Sequence, residues 1–292
     1  MKRLEEFILE KLKISKIEAN YKPKTKEELI DIIIKEIEAN GPECSLNHID
    51  VSNITDMEYL FRGGMSFGSA NGHPVLSEFD GDISEWNVSK VTNMKYMFTN
   101  CNYTGNNGDI SNWDVSNVTD MEGMFSISKY NGNISGWDVS NVTNMIFLFF
   151  SSEFNGKNGD ISNWDVSNVT DMSYMFGNSK YNGDISNWDV SNVKNMRSMF
   201  NGSIFNGDIS NWDVSSVIDM AYMFMKSKYN GDISDWDVSN VKYFAQMFMG
   251  SPFKGNISKW QINTNAKVNM NKMFDNSPLE KTPPTWYNKY SK

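Results

Sequence analysis

The side chains most able to do chemistry in this protein are carboxylates set on a fixed period. Asp114, Asp138, Asp165, Asp189, Asp213 and Asp237 each stand between a tryptophan and a valine, with Asn87 and Gln261 in the same place at either end. A second column follows a glycine: Asp82, Asp109, Asp160, Asp184, Asp208 and Asp232, with Asn133 and Asn256 in two copies. Rows of carboxylates suit a basic partner surface or cations, and calcium takes oxygen ligands of this kind. The same residues also close turns on the backbone two residues on, so a purely structural reading stands beside the functional one. Catalysis is a poorer fit. A glycosidase needs two carboxyl groups in different environments, and a repeat supplies many alike. His48 and His73 lie in no motif, and the only cysteines, Cys44 and Cys101, lack metal-ligand spacing and read as reduced thiols. No phosphate loop, nucleophile elbow or zinc pattern occurs. The expectation is a protein that is not an enzyme, with no catalytic residue, metal or cofactor.

Composition narrows the field further. The 292 residues carry a net charge of −9 and only 39% hydrophobic residues. Residues 46–278 hold 25 acidic and 15 basic side chains, so the negative balance lies in the middle of the sequence. Nucleic-acid binding calls for clustered Lys and Arg, and none is present. No apolar run is long enough to cross a membrane. The opening MKRLEEFILEKL places acids inside its apolar stretch, unlike a signal peptide. That reading predicts a cytoplasmic protein.

The elements that must position these carboxylates come from an internal repeat. GDISNWDVSNVTDMSYMFGNSKYN (159–182) is followed by GDISNWDVSNVKNMRSMFNGSIFN (183–206) and GDISNWDVSSVIDMAYMFMKSKYN (207–230). Tryptophans recur from Trp86 to Trp260 at steps of 24 or 27, the longer steps arising from insertions at Gly105–Asn107 and Gly156–Asn158. A period of 24 lies in the leucine-rich-repeat range. Ile-x-x-Trp-x-Val fits a short strand. Val193, Met196, Met199 and Phe200 then fit one face of a short helix, with Asn192 as its cap (Asn168 in the copy before). The predicted fold class is an α/β repeat solenoid, a right-handed leucine-rich-repeat-like horseshoe of short parallel strands and short helices. Its predicted parts are an N-terminal helical cap (1–45), about nine repeats (46–278, with an insertion at 62–80) and a C-terminal cap (279–292). The N-terminal cap includes a helix near 3–13 and another over 25–40, where Leu29, Ile32, Ile33 and Ile37 share a face and Thr25 with Glu28 makes a capping box.

The unit GDISxWDVSNVTxMxxMF, and the approach YKPKTKEELIDIIIKEI…IDVSNITDMEYLF over 21–61, resemble the BspA-like leucine-rich-repeat surface proteins of bacteria, including mycoplasma-type lipoprotein repeats. The resemblance implies a solenoid used for adhesion or protein binding, and a secreted or cell-surface location, against the cytoplasmic reading above. The expected function is therefore a binding module. Its partner is a protein, basic or on a host surface, met by the six Asp residues on the concave face. A carbohydrate or cell-surface ligand, or lateral packing as an assembly component, is the alternative. Variable positions could also serve: Tyr59, Tyr96, Gly123, Phe147, Tyr174, Ser198, Tyr222 and Gln246 form one column, and Ile146, Phe147 and Phe150 a candidate apolar contact patch.

Overall fold

The computed structural model describes residues 21–64, 73–263 and 267–290; the expected helix near 3–13 lies outside them. Helix α1 spans Lys26–Asn40. Half of the predicted capping box forms: the Thr25 hydroxyl accepts from the Glu28 N–H at 3.2 Å, but the Glu28 carboxylate accepts from the Lys24 N–H at 2.7 Å rather than from that of Thr25. Leu29, Ile33 and Ile37 are buried, Ile32 only partly. Gly41, at φ 88°, ends the helix by donating its N–H to the Ile37 carbonyl. Two further short helices are α2 (Pro74–Ser77) and α3 (Thr285–Tyr290).

The repeats are not built as expected. Among the described residues they contain neither a strand nor a helix, so the α/β leucine-rich-repeat horseshoe is overturned. Each copy is instead a run of turns, and the copies stack as coils. One residue per coil pairs with its neighbours, giving the parallel bridges Asp56–Asn93–Asp120–Asn144–Asp171–Asn195–Asp219–Tyr243–Asn269.

Residues 195–202 show how turns and stacking coexist. The N–H groups of Met196, Ser198, Phe200 and Gly202 donate to carbonyls of the next coil at 2.8–2.9 Å, while the carbonyls of Asn195, Arg197, Met199 and Asn201 accept from the coil before. Alternate residues therefore satisfy both neighbours, as in a parallel ladder. But the Met199, Asn201 and Ser203 N–H groups turn back to carbonyls three residues earlier, and Ser198 and Gly202 sit at φ 55° and 66°. A left-handed residue every fourth position curls the backbone and prevents an extended strand.

The apolar spacing that suggested a helix is the spacing of these turns. Trp188, Val193 and Met199 each donate an N–H to the carbonyl three residues back, at Ile185, Val190 and Met196. Asn192 caps no helix. It donates its side-chain amide to the Ser167 carbonyl of the preceding coil at 2.8 Å, as Asn117, Asn141, Asn168 and Asn240 do at their levels.

Two left-handed columns run the length of the stack. The first is the variable column Tyr59, Tyr96, Gly123, Phe147, Tyr174, Ser198, Tyr222 and Gln246, continued by Lys272. The second includes Asn100, Ile127, Ser151, Asn178, Gly202, Lys226, Gly250 and Asn276. Ile127 is the misfit, because a β-branched residue is strained at positive φ and this residue is 42% exposed. Ile127→Gly is expected to raise stability by about 1 kcal/mol, read as a higher urea midpoint at unchanged slope. A lower midpoint would show that the isoleucine contributes more through its contacts than its backbone strain costs.

The core is a set of aromatic columns. The rings Phe61, Phe98, Phe125, Phe149, Phe176, Phe200, Phe224, Phe248 and Phe274 stack with centroids 5.5–5.9 Å apart. Beside them stands a second column, from Phe79 and Tyr103 to Tyr229 and Phe253, each ring 4.3–4.7 Å from its Phe partner. Each repeat Trp donates its indole N–H to a carbonyl of the coil before; Trp188, for example, reaches Ile161 at 3.0 Å. At the far end Trp286 of α3 makes the same bond to Ile257 at 2.9 Å and stacks on Trp260. The C-terminal tail thus closes the stack by imitating one more repeat.

Candidate functional surface

The six predicted Asp residues are exposed and form one row, but no strand-lined concave face exists among the described residues for them to line. Each closes a turn on the serine two residues on. The Asp165 Oδ1 accepts from the Ser167 N–H at 3.0 Å, and Asp189 accepts from the Ser191 N–H at 3.0 Å and hydroxyl at 2.6 Å. Asp114, Asp138, Asp213 and Asp237 repeat the bond to Ser116, Ser140, Ser215 and Ser239. Asn87 does the same with Ser89, so the carboxylate's charge is not required. The Gly-Asp column works alike: Asp184 accepts from Ser186, and Asp208 from Ser210, both at 2.9 Å. Among the described residues no group of three His, Cys, Asp or Glu side chains is arranged to hold a metal ion.

These bonds carry a pH signature. Hydrogen bonds from Ser140, Ser167 and Ser215 hold Asp138, Asp165 and Asp213 below the ordinary carboxylate range. At Asp50 the Lys22 ammonium and Ser52 bring the value down to about 2. A group depressed in the folded state stabilises fully above its unfolded value of about 3.9, and that contribution is lost as the pH falls through the folded value. Stability is therefore expected to be flat from pH 7 to about 5 and to fall between about pH 4 and 2. Denaturant midpoints across that range test it. A triple D138N/D165N/D213N variant is expected to be somewhat less stable than the native protein at pH 7 and to lose less on acidification.

A third acidic column escapes sequence reasoning because only half of it is acidic. Asp56, Asn93, Asp120, Asn144, Asp171, Asn195 and Asp219 alternate acid with amide up the stack, at the bridge positions themselves. The amide side chain of Asn195 donates to the Asp171 carboxylate at 2.9 Å, Arg197 pairs with Asp219 at 3.5 Å, and Lys26 of α1 pairs with Asp56 at 2.5 Å. Like charges on adjacent levels are unfavourable, and the alternation avoids them. The signal available in the sequence was this regular exchange of Asp and Asn.

The variable face beside this column holds the most interactive side chains of the stack. Tyr59 stacks on Tyr96 at 5.4 Å, with Arg62 over both rings. The Tyr96 hydroxyl bonds to Glu122, which also pairs with Lys95 at 2.5 Å. Burial pushes Tyr96 up, and its bond to Glu122 adds to this. Burial alone would raise Glu122, but bonds from Lys95 and Tyr96 outweigh it and hold the carboxyl low. Both groups move away from neutrality, the reverse of what acid–base catalysis requires. The Cys101 thiol, pushed up to about 12 by burial, is inert as a nucleophile.

The predicted apolar patch is only half-exposed. Ile146, Phe147 and Phe150 are partly buried, with Phe147 stacked on Tyr174 at 4.6 Å and edge-on to Phe150 at 5.4 Å. Residues 65–72 of the 62–80 insertion lie outside the described residues; its remainder places Leu76 and Phe79 in the core. Among the described residues no helix is long and apolar enough to cross a membrane.

The expected function falls with the fold. Protein binding or adhesion through the inner face of a solenoid, with glycan binding or lateral assembly as alternatives, presupposed a strand-and-helix horseshoe that this stack of turns does not provide. The resemblance to BspA-like leucine-rich-repeat proteins is corrected for the same reason. No curated protein matches the sequence, and no solved structure does. One family model matches in four overlapping placements, at residues 38–157, 70–182, 101–204 and 177–286. Together these span 38–286, most of the chain, and the chain belongs to the family described as Mycoplasma protein of unknown function, DUF285.

Proposed function

We propose that this protein is a non-enzymatic spacer, a stiff stack whose useful property is its length. The observation that supports this most strongly is the fate of the repeated polar side chains. The Asp of each Trp-Asp-Val closes its own turn, the Asn of Val-Ser-Asn ties to the coil before, and the bridge column ties to the coils on both sides. These side chains are committed to holding the stack together, and they present the same chemistry at every level rather than converging on one place. Eight bridges from Asp56 to Asn269 at about 4.8 Å each make a stack about 40 Å tall. In this reading, what the protein connects is held at its ends. A basic protein or a glycan gripped by the Asp row is the competing outcome.

The test compares length with surface. One variant lacks residues 159–206, two whole copies; the other is D165N/D189N/D213N at constant length. By small-angle scattering the deletion is expected to stay folded and to shorten the particle by about 10 Å. In the producing cell, the deletion should reproduce the defect of losing the gene, and the triple Asn variant should not. A shortened protein that works normally, with a triple Asn variant that fails, would overturn the spacer reading in favour of the Asp row.

A further inference from the structure

A fourth column joins the coils from the outside, and it is built from Asn-Gly pairs. The carboxamide oxygen of Asn182 accepts from the Asn206 backbone N–H at 2.9 Å, Asn206 from Asn230 at 2.8 Å, and Asn230 from Lys254 at 3.0 Å. Lower down, Asn131 accepts from Asn155 at 3.1 Å, and Asp80 accepts from Thr104 at 2.7 Å. The column breaks at the two coils that carry insertions. There Thr104 and Asn155 turn to their own loops instead: the Thr104 hydroxyl accepts from the Asn106 N–H, and the Asn155 carboxamide oxygen accepts from the Lys157 N–H at 2.9 Å. Asn155 is thus the Asn-Gly member of the column whose carboxamide no other coil holds.

An Asn-Gly pair is chemically labile. The glycine amide nitrogen attacks the carboxamide carbon of the asparagine and bonds to it, the carboxamide loses its own nitrogen, and ammonia leaves. Water then opens the cyclic imide to aspartate or isoaspartate. The attack requires the carboxamide to swing onto the following nitrogen. At Asn131, Asn182, Asn206 and Asn230, that swing breaks a bond to the next coil. Asn201-Gly202 is restrained from the other side, because the Gly202 N–H is bonded to the Met225 carbonyl at 2.8 Å. At Asn155 the carboxamide oxygen is bonded to the Lys157 N–H of its own loop, closing a ring that already contains the Gly156 nitrogen, so the attack need not break that bond; Gly156 sits at φ 78°, a conformation open to glycine.

We infer that Asn155-Gly156 is a site of self-modification, where the folded protein turns its own asparagine into aspartate or isoaspartate while the inter-coil Asn-Gly pairs of the same column are protected. The product suits the fold in one of its forms: Asp80 already fills this column with a carboxylate.

Peptide mapping after incubation of the full-length protein at mildly alkaline pH tests this. In the folded protein Asn155 is expected to deamidate about tenfold faster than Asn182, Asn206 or Asn230, the protection that an inter-coil hydrogen bond of ordinary strength can give. In denaturant the sites should react at similar rates. N155Q should abolish the fast phase and leave the fold unchanged. Asn182 and Asn206 reacting as fast as Asn155 in the folded protein, or an inert Asn155, would overturn the inference.

Discussion

Replacing Phe176 with alanine should cost the folded state about 4 kcal/mol. Phe176 is fully buried and touches the stack in every direction. Phe149 and Phe200 lie above and below at 5.8 Å, Tyr181 beside it at 4.7 Å, and Trp188 at 6.1 Å. A cavity there cannot refill, because each neighbouring ring is held by its own column. The loss also falls mid-stack, where coils on both sides depend on the contact. Ile204→Ala, at a residue 49% exposed, should cost less than about 0.5 kcal/mol. Urea unfolding of both variants decides the matter. Equal costs would mean that the aromatic columns are packing without consequence.

Gly81→Ala should come next, at about 3 kcal/mol. Gly81 is buried at the junction where Ser45 pairs with Asp82. A Cβ there would fall on the Cys44 carbonyl oxygen and against the Phe79 ring. That carbonyl is backbone and already accepts from the Asp82 N–H at 3.3 Å, while the Asp82 carbonyl receives the Leu46 N–H at 2.8 Å. Relief therefore requires moving the first coil away from the second. Gly136→Ala is the matched control. Its Cβ would meet nothing nearer than the Ser111 carbonyl at 3.9 Å, and it should leave the melting temperature unchanged. A Gly81 variant as stable as the Gly136 variant would mean that the junction is loose.

These two positions mark what the sequence shows and what it hides. The period, the copies and the buried identities of Ile185, Trp188, Val193, Met196 and Phe200 are legible, because burial depends on residue type and recurs with the repeat. Helix α1 is legible too, since Thr25, Glu28 and Gly41 state its limits. The path of the backbone between buried points is not. Apolar residues three apart fit one face of a helix, and they fit equally well the corners of successive turns. The deciding fact is positive φ at Tyr59, Tyr96, Tyr174 and Tyr222, and tyrosine announces no such conformation. The site was hidden by the same ambiguity. The Asp residues stood out by their repetition, yet repetition reflects the shared turn. The alternating column at Asp171 and Asn195 was overlooked because two residue types share one place.

That alternation limits how the molecule can change in length. Asp120, Asn144, Asp171, Asn195 and Asp219 follow one another in strict exchange. Remove the single copy 183–206 and Asp171 comes to rest against Asp219, acid upon acid. Remove the two copies 159–206 together and Asn144 meets Asp219, amide upon acid. Loss of the pair of copies 159–206 is therefore expected to disturb this column less than loss of the copy 183–206 alone.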